Sequence, residues 1–341
     1  MTIEAITHAR RHRALRRGWL IGALAAVLVA LFFAAVMIGD TFYDLATVWS
    51  VLTGKDSGGA DFIVGKLRLP RATLGVLVGV AFGVAGVTFQ TMLRNPLASP
   101  DIIGIDAGAA TAAVAAIVIF GASGTQVSLV AVVAALATAA IIYLLSIKSG
   151  FRGTRLILIG IGIAAFLNAM TAYLLSKAAQ WDLQAAMRWL TGSLNSASWD
   201  DVRPVAIAMV VLLPILLVKS RDLGLLQMGD DAAAALGVRV GATRITLIIG
   251  AVTLLAFATA ACGPIAFVAF MAGPIAARIV GAGGSPIVPA ALVGAILVVS
   301  ADMLGQHAFD HRYPVGIVTG VLGAPFLLYL LIKSNRSGGS I

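Results

Sequence analysis

Long apolar runs alternate with short polar connections along almost the whole chain. The runs lie near residues 19–39, 72–92, 102–121, 126–147, 155–176, 202–219, 244–262, 264–281, 287–305 and 314–332. About twenty apolar residues in a helix cross the roughly 30 Å hydrocarbon layer of a bilayer. The pattern therefore predicts an all-α polytopic membrane protein of about ten transmembrane helices. Two places are least sharply drawn: the split of 244–281, which rests on Gly263-Pro264, and the third run, which carries polar residues. The first run follows a basic segment, as a signal peptide does, but a signal peptide's apolar core spans only roughly 7–15 residues. It reads as a retained span. The expected organisation is a basic tail at 1–18, one transmembrane domain at 19–332 and a short tail at 333–341.

The chain is organised around Arg68 to Ala110. Arg68 and Arg71 bracket Leu69 and Pro70, and an apolar helix of spanning length follows. Gly75, Gly79 and Gly83 recur every fourth residue, so they share one helical face. Small residues at that spacing let another helix approach closely in lipid. The run then breaks at Arg94-Asn95-Pro96-Leu97 before a second apolar run begins. The stretch reads as one wall of a pathway.

Composition supports the spans. Apolar residues make up 60% of the chain, charged residues only 11%, and mean hydropathy is +1.00. A soluble domain carries roughly 25% charged residues. The net charge of +9 is not a nucleic-acid signal, because cytoplasmic loops of membrane proteins collect Lys and Arg. With both termini inside, sixteen of the 24 Lys and Arg residues fall on the cytoplasmic side and eight outside. That two-to-one bias orients the chain.

Catalytic and metal patterns are missing from the sequence. Cys262 is the single cysteine, so neither a disulfide framework nor a Cys cluster is possible. His8, His12, His307 and His311 lack the pattern of a helical zinc site. Gly54-Lys55 has Trp49 where a phosphate-cradling loop needs its first glycine. ATP-powered transport would thus need a separate ATPase chain. Intramembrane charges are expensive and usually functional. Asp106, Asp302 and Asn168 are the polar candidates, with hydrated helix ends as the simpler reading for the two acids.

Two loops are longer than a turn requires. The outer loop from Lys177 to Arg203 carries Trp181, Trp189 and Trp199, as an interfacial helix would. The inner loop from Lys219 to Arg244 contains Met228-Gly229-Asp230-Asp231 followed by four alanines, Leu236 and Gly237. Asp230 and Asp231 are placed to cap a helix start, and Gly237 to end it. A helix of two turns is marginal alone. It either rests on the protein's own spans or plugs into a cytoplasmic partner.

Four stretches together resemble a known family: RLPR at 68–71 leading to RNPLASPDIIG at 94–104, GSL at 192–194, MGDDAAAALGV at 228–238, and YPVGIVTGVLGAPFLLYLL at 313–331. With the ten spans they resemble the FecCD-type permeases of type II ABC importers for ferric siderophores, haem and cobalamin. The likeness is strongest to the second permease subunit of ferric-enterobactin importers. It implies the type II permease fold and a subunit carrying a catecholate-type ferric siderophore inward across the bacterial plasma (inner) membrane. Cobalamin or haem is the alternative cargo, and an ion-coupled secondary transporter the rival class. The implied partners are a second permease subunit (a paralogue, or else an identical copy), two ABC ATPases holding ATP and Mg, an extracytoplasmic binding protein and membrane lipid, but no nucleic acid. The chain itself would bind no cofactor or metal and would not be an enzyme.

The resemblance also implies roles. Arg68 and Arg71 would dock the binding protein, with Arg312 as a further candidate. Gly229, Asp230, Asp231, Ala235, Leu236 and Gly237, within a helix at about 229–239, would couple to the ATPase. Asn95, Pro96 and Leu97 would form an inner gate. Two departures stand out: Arg312-Tyr313-Pro314-Val315-Gly316 replaces a Glu-x-Pro-x-Gly pattern, and Pro274-Ile275 replaces Pro-His.

Overall fold

The computed structural model describes residues 3–55, 58–147, 153–281 and 283–336. Lys148, Arg152 and the last five residues of the expected C-terminal tail lie outside the described residues. Among these residues fifteen α-helices follow in order. They are α1 (Ile3–Met37), α2 (Leu45–Leu52), α3 (Ala60–Phe62), α4 (Leu69–Met92), α5 (Ile105–Phe120), α6 (Thr125–Ser146), α7 (Gly153–Lys177) and α8 (Gln180–Leu190). Then come α9 (Trp199–Val218), α10 (Ser220–Leu226), α11 (Asp230–Ala235), α12 (Val240–Cys262), α13 (Val268–Val280), α14 (Ile287–His307) and α15 (Val315–Arg336).

Among the described residues, eight helical stretches are long and apolar enough to cross a membrane, and α5 and α13 are shorter apolar helices. Together they account for the ten expected spans. At 1.5 Å per residue, the 13 residues of α13 cover only about 20 Å. Broken backbone precedes both short helices, at 93–104 and 263–267. Non-helical backbone at membrane depth is tolerated where it is buried in protein or lines a water-filled cavity. Ala98, Ser99, Ile103 and Ile265 are indeed almost fully buried.

The basic segment before the first span is helical: α1 runs unbroken for 35 residues, about 52 Å. Alanine, arginine and leucine dominate 9–17 and favour helix, and no breaker intervenes before Gly18. The second span also starts early. Helix begins at Ala60 and passes through a π-helical turn at Ile63–Arg68 into α4. Pro70 has no N–H to donate to the preceding turn. That turn widens, and the Leu69 N–H reaches the Val64 carbonyl five residues back.

The core gathers around α4. Leu74, Val78, Phe82, Val84 and Phe89 are shielded from every side, and α9, α12, α13 and α14 surround the helix. The glycine spacing explains how α14 comes so close. A Cβ at Gly79 would stand 2.5 Å from the Gly294 carbonyl oxygen, and one at Gly83 would stand 2.2 Å from that of Ala290. Gly75 is looser, with Leu194 Cδ1 3.2 Å from an added Cβ. Elsewhere α1, α6, α7 and α15 leave broad apolar faces open, including Val29, Leu144, Phe166 and Leu328.

Candidate functional site

The candidate residues collect at the two ends of α4. At the end opposite the termini lies a cavity of about 510 Å³. Arg68, Arg71 and Arg312 all line it, with Lys66, Gly75, Asp40, Asp302 and His307. Tertiary folding brings these groups together from the end of α1, the start of α4, the 193–198 loop and the end of α14.

The arginines do not simply face outward. Arg68 turns inward and donates to the carbonyls of Val36 at 3.1 Å, Met37 at 2.9 Å and Thr41 at 2.6 Å. Its guanidinium lies 5.2 Å from the Tyr43 ring centre. A cation at a helix C-terminus satisfies orphan carbonyls and opposes the negative dipole end, so Arg68 closes α1. Arg71 is committed to Asp302 by two hydrogen bonds of 2.7 Å and to Asn195 Oδ1 at 2.8 Å. Asp302, which the sequence left as a hydrated end, is thus one half of an ion pair. Arg312 pairs with Asp40, donating to both carboxylate oxygens at 2.7 Å, but remains 60% exposed. That hydrogen bond, and then the Arg312 charge, hold the Asp40 carboxyl below its ordinary pKa.

The GSL stretch joins this end together. Ser193 N–H donates to the Cys262 carbonyl at 2.7 Å, and Gly316 N–H to the Gly192 carbonyl at 3.1 Å. Asn195 then accepts from Arg71 and from Gln306. The ends of α8, α12 and α14 and the start of α15 meet through three consecutive residues and Asn195. Sequence reasoning passed over Asn195 and Gln306. Neither has a motif, and only the fold sets them beside Arg71.

At the termini end, α4 closes with a reciprocal cap. Arg94 N–H donates to the Thr91 carbonyl and Asn95 N–H to the Gln90 carbonyl. Arg94 occupies the left-handed position, with φ +52°, where glycine is usual. The Asn95 side chain then accepts from Leu97 N–H at 2.9 Å, an Asx turn that carries the chain into the break. Asn95, Pro96 and Arg94 line a second cavity of about 540 Å³. Leu97 is not among the lining residues.

The short inner helix forms as α11. Its stop agrees with expectation: Gly237 sits at φ +88°, its N–H bonds to Ala234 and the Val238 N–H to Ala233. Its start is corrected. No side chain caps α11, and Gly229 occupies the cap position. Asp230 is drawn instead to Arg244 on α12, which donates to both its oxygens at 2.9 and 3.0 Å. Arg244 is buried, so its charge requires a compensating carboxylate. Asp231, Ala235 and Leu236 face solvent. Arg94 Nη1 would lie 3.8 Å from a Cβ placed on Gly229, so α11 adjoins the break after α4.

Of the remaining polar candidates, Asp106 accepts from Thr259 at 3.1 Å and Asn168 lies on the exposed side of α7. No group of three or more His, Cys, Asp or Glu placed to hold a metal ion is found among the described residues.

The model of the FecCD transport family matches residues 27–333. The chain is 39% identical over 299 residues to the ferric enterobactin transport system permease protein FepG of Escherichia coli, covering 87% of this chain and 91% of that one. It is 36% identical over 274 residues to the cobalamin import system permease protein BtuC of Halobacterium salinarum, covering 80% and 74%. A solved structure described as an inward-facing conformation of a metal-chelate type ABC transporter superposes with a TM-score of 0.83 at 27% identity, covering 93% of this chain and 99% of that one.

Proposed function

The chain belongs to the FecCD transport family, and on that premise we propose that it is a permease subunit importing a ferric siderophore of the catecholate type. Its family is that of ABC importer permeases for iron chelates and cobalamin, which are transport channels rather than catalysts. In the proposed assembly two permeases, this chain and a paralogue, stand in the bacterial inner membrane. Two ATPases below supply ATP hydrolysis with Mg, and a binding protein delivers the cargo from outside.

The observation that carries this reading is the mounting of α11. A helix of six residues cannot persist alone. Here the Arg244 pair fixes one end and the Gly237 stop defines the other, while Asp231, Ala235 and Leu236 stay exposed for a partner. Force on α11 would reach α12 through Arg244, and the inner break through Arg94. Asn95, Pro96 and Leu97 would then respond as the inner gate.

At the other end Arg312, paired with Asp40 yet 60% exposed, is the most open of the three candidate arginines to a binding-protein carboxylate. Arg68 and Arg71 are more buried as well as paired, so they would contribute to the positive field of the cavity. A field of this kind steers and orients docking more than it adds affinity. Cobalamin is the second reading for the cargo, favoured by the likeness to the haloarchaeal cobalamin permease.

The test is ATP hydrolysis and cargo uptake by the reconstituted complex. Gly237→Pro is expected to leave assembly intact and abolish stimulation by the loaded binding protein. Normal stimulated hydrolysis and uptake would remove the coupling assignment. Uptake of a ferric catecholate in preference to cobalamin decides the cargo.

A further inference from the structure

The cavity at the termini end carries charge that the proposed gate residues Asn95 and Pro96 do not account for. Among the described residues its charged groups are Arg17 and Arg94, joined by Gln90, Gln227, Asn95 and Thr91. Both guanidinium groups line a space of about 540 Å³, and no carboxylate among the described residues lines it with them. Arg17 is held in place, donating to the Ser285 carbonyl and lying against Gly284 in the loop between α13 and α14. Arg94 approaches from the end of α4 and is exposed to solvent.

The position of Arg17 sets the level of this cavity. Two residues later Trp19 is 80% exposed, and the apolar run of α1 begins there. Tryptophan at the start of a span marks the headgroup layer. Below it Arg11 and Arg16 are exposed on the same helix, and above it Val27 and Val29 remain open to the hydrocarbon. The mouth is therefore continuous with a lipid-facing helix. Basic pockets between spans on the cytoplasmic side suit anionic headgroups, and arginine matches phosphate geometry by a planar fork.

We propose that the cavity between Arg17 and Arg94 binds the phosphate of an anionic phospholipid of the inner leaflet, with the lipid's acyl chains lying along α1. The Arg17 fork reaches one side of the phosphate and Arg94 the other, while Gln227 donates to a remaining oxygen; Gln90 is already bound to the Phe270 carbonyl at 2.9 Å and only lines the wall. The bound lipid fastens α1 to the break that follows α4. This inference does not depend on the cargo or on the ATPase contact.

The full chain, purified with whatever subunits accompany it, is placed in nanodiscs of phosphatidylcholine with a minority of phosphatidylglycerol, and retained lipid is counted by native mass spectrometry. The wild type is expected to keep phosphatidylglycerol. Arg17→Gln with Arg94→Gln should lower that retention roughly tenfold or more, and Arg94→Gln alone should lower it by a smaller factor. The control pair Arg11→Gln with Arg16→Gln removes equal charge outside the cavity and should change retention less than twofold. Equal loss in the control overturns the site in favour of diffuse surface attraction. Retention unchanged in Arg94→Gln and in a folded double variant overturns it as well. Inorganic phosphate is also added to discs of pure phosphatidylcholine. Phosphate-dependent thermal stabilisation there, abolished by the double variant, would assign the cavity to free phosphate and overturn the lipid.

Discussion

Arg71 and Asp302 lie 231 residues apart, and two hydrogen bonds of 2.7 Å join them as a fork to a carboxylate. The pair links the start of α4 to the end of α14. Its side chains are 22% and 12% exposed, so water screens it only partly. Asp302→Asn keeps the shape and removes the charge. It is expected to destabilise the chain by about 1–3 kcal/mol, and Arg71→Gln by a similar amount. A double variant should cost less than the sum, because each single change leaves a half-buried partner unmatched. Additive losses in thermal unfolding in detergent would show that the pair is energetically idle.

Close packing of α4 on α14 gives a second expectation. Gly83→Ala places a methyl 2.2 Å from the Ala290 carbonyl oxygen, and backbone atoms of both helices must separate to admit it. Overpacking of this kind costs about 1–3 kcal/mol. Gly162→Ala on α7 meets nothing within 4 Å and should leave the melting temperature unchanged or slightly raised. Equal behaviour of the two variants would contradict the contact.

Arg94 holds a left-handed backbone that an L-residue adopts at a cost of roughly 1–2 kcal/mol. Arg94→Gly is therefore expected to raise fold stability by up to about 1 kcal/mol, while it weakens anionic-lipid retention. Arg94→Ala should bring the second effect without the first. A lower melting temperature for the glycine variant than for the alanine variant would refute the strain.

The Arg312–Asp40 pair should respond to acid. Folding depresses the Asp40 pKa through the hydrogen bond from Arg312. The contribution is thus fully present above the unfolded carboxylate value of about 3.9 and disappears as pH falls through the lower folded value. Asp44 behaves alike, because Thr47 donates to it from both side chain and backbone. Order in the 39–47 loop, followed by a probe at Phe42, is expected to hold at pH 5 and to fade only in stronger acid. Asp40→Asn should remove the part that depends on Arg312. Both residues are exposed, so high salt should shrink the effect. A transition centred near neutrality would point to another group.

Mounting of α11 through a buried arginine gives a last expectation. Arg244→Met should leave α12 packed, since the stem fills the same space, yet release Asp230. Stimulated ATP hydrolysis in the complex is expected to fall at least severalfold while assembly persists. A full rate would mean that the ion pair does not hold the coupling element.

The order of apolar runs by itself determined the number of spans and which stretch is central, because hydrocarbon thickness imposes a length on every crossing helix. Gly75, Gly79 and Gly83 were legible as a packing face, since their spacing is a property of the helix alone. The stop of α11 at Gly237 was legible for the same local reason. Partnership was not. Arg68 and Arg71 are both motif residues, and nothing along the chain says that one closes α1 while the other meets Asp302. Asp230 looks like a helix cap until Arg244 is seen beside it, buried and in need of a carboxylate. The extra turns of α1 and of the second span were hidden too, because polar residues interrupt hydropathy without interrupting helix. Side-chain charges choose partners by distance in space, and the tertiary fold alone sets that distance.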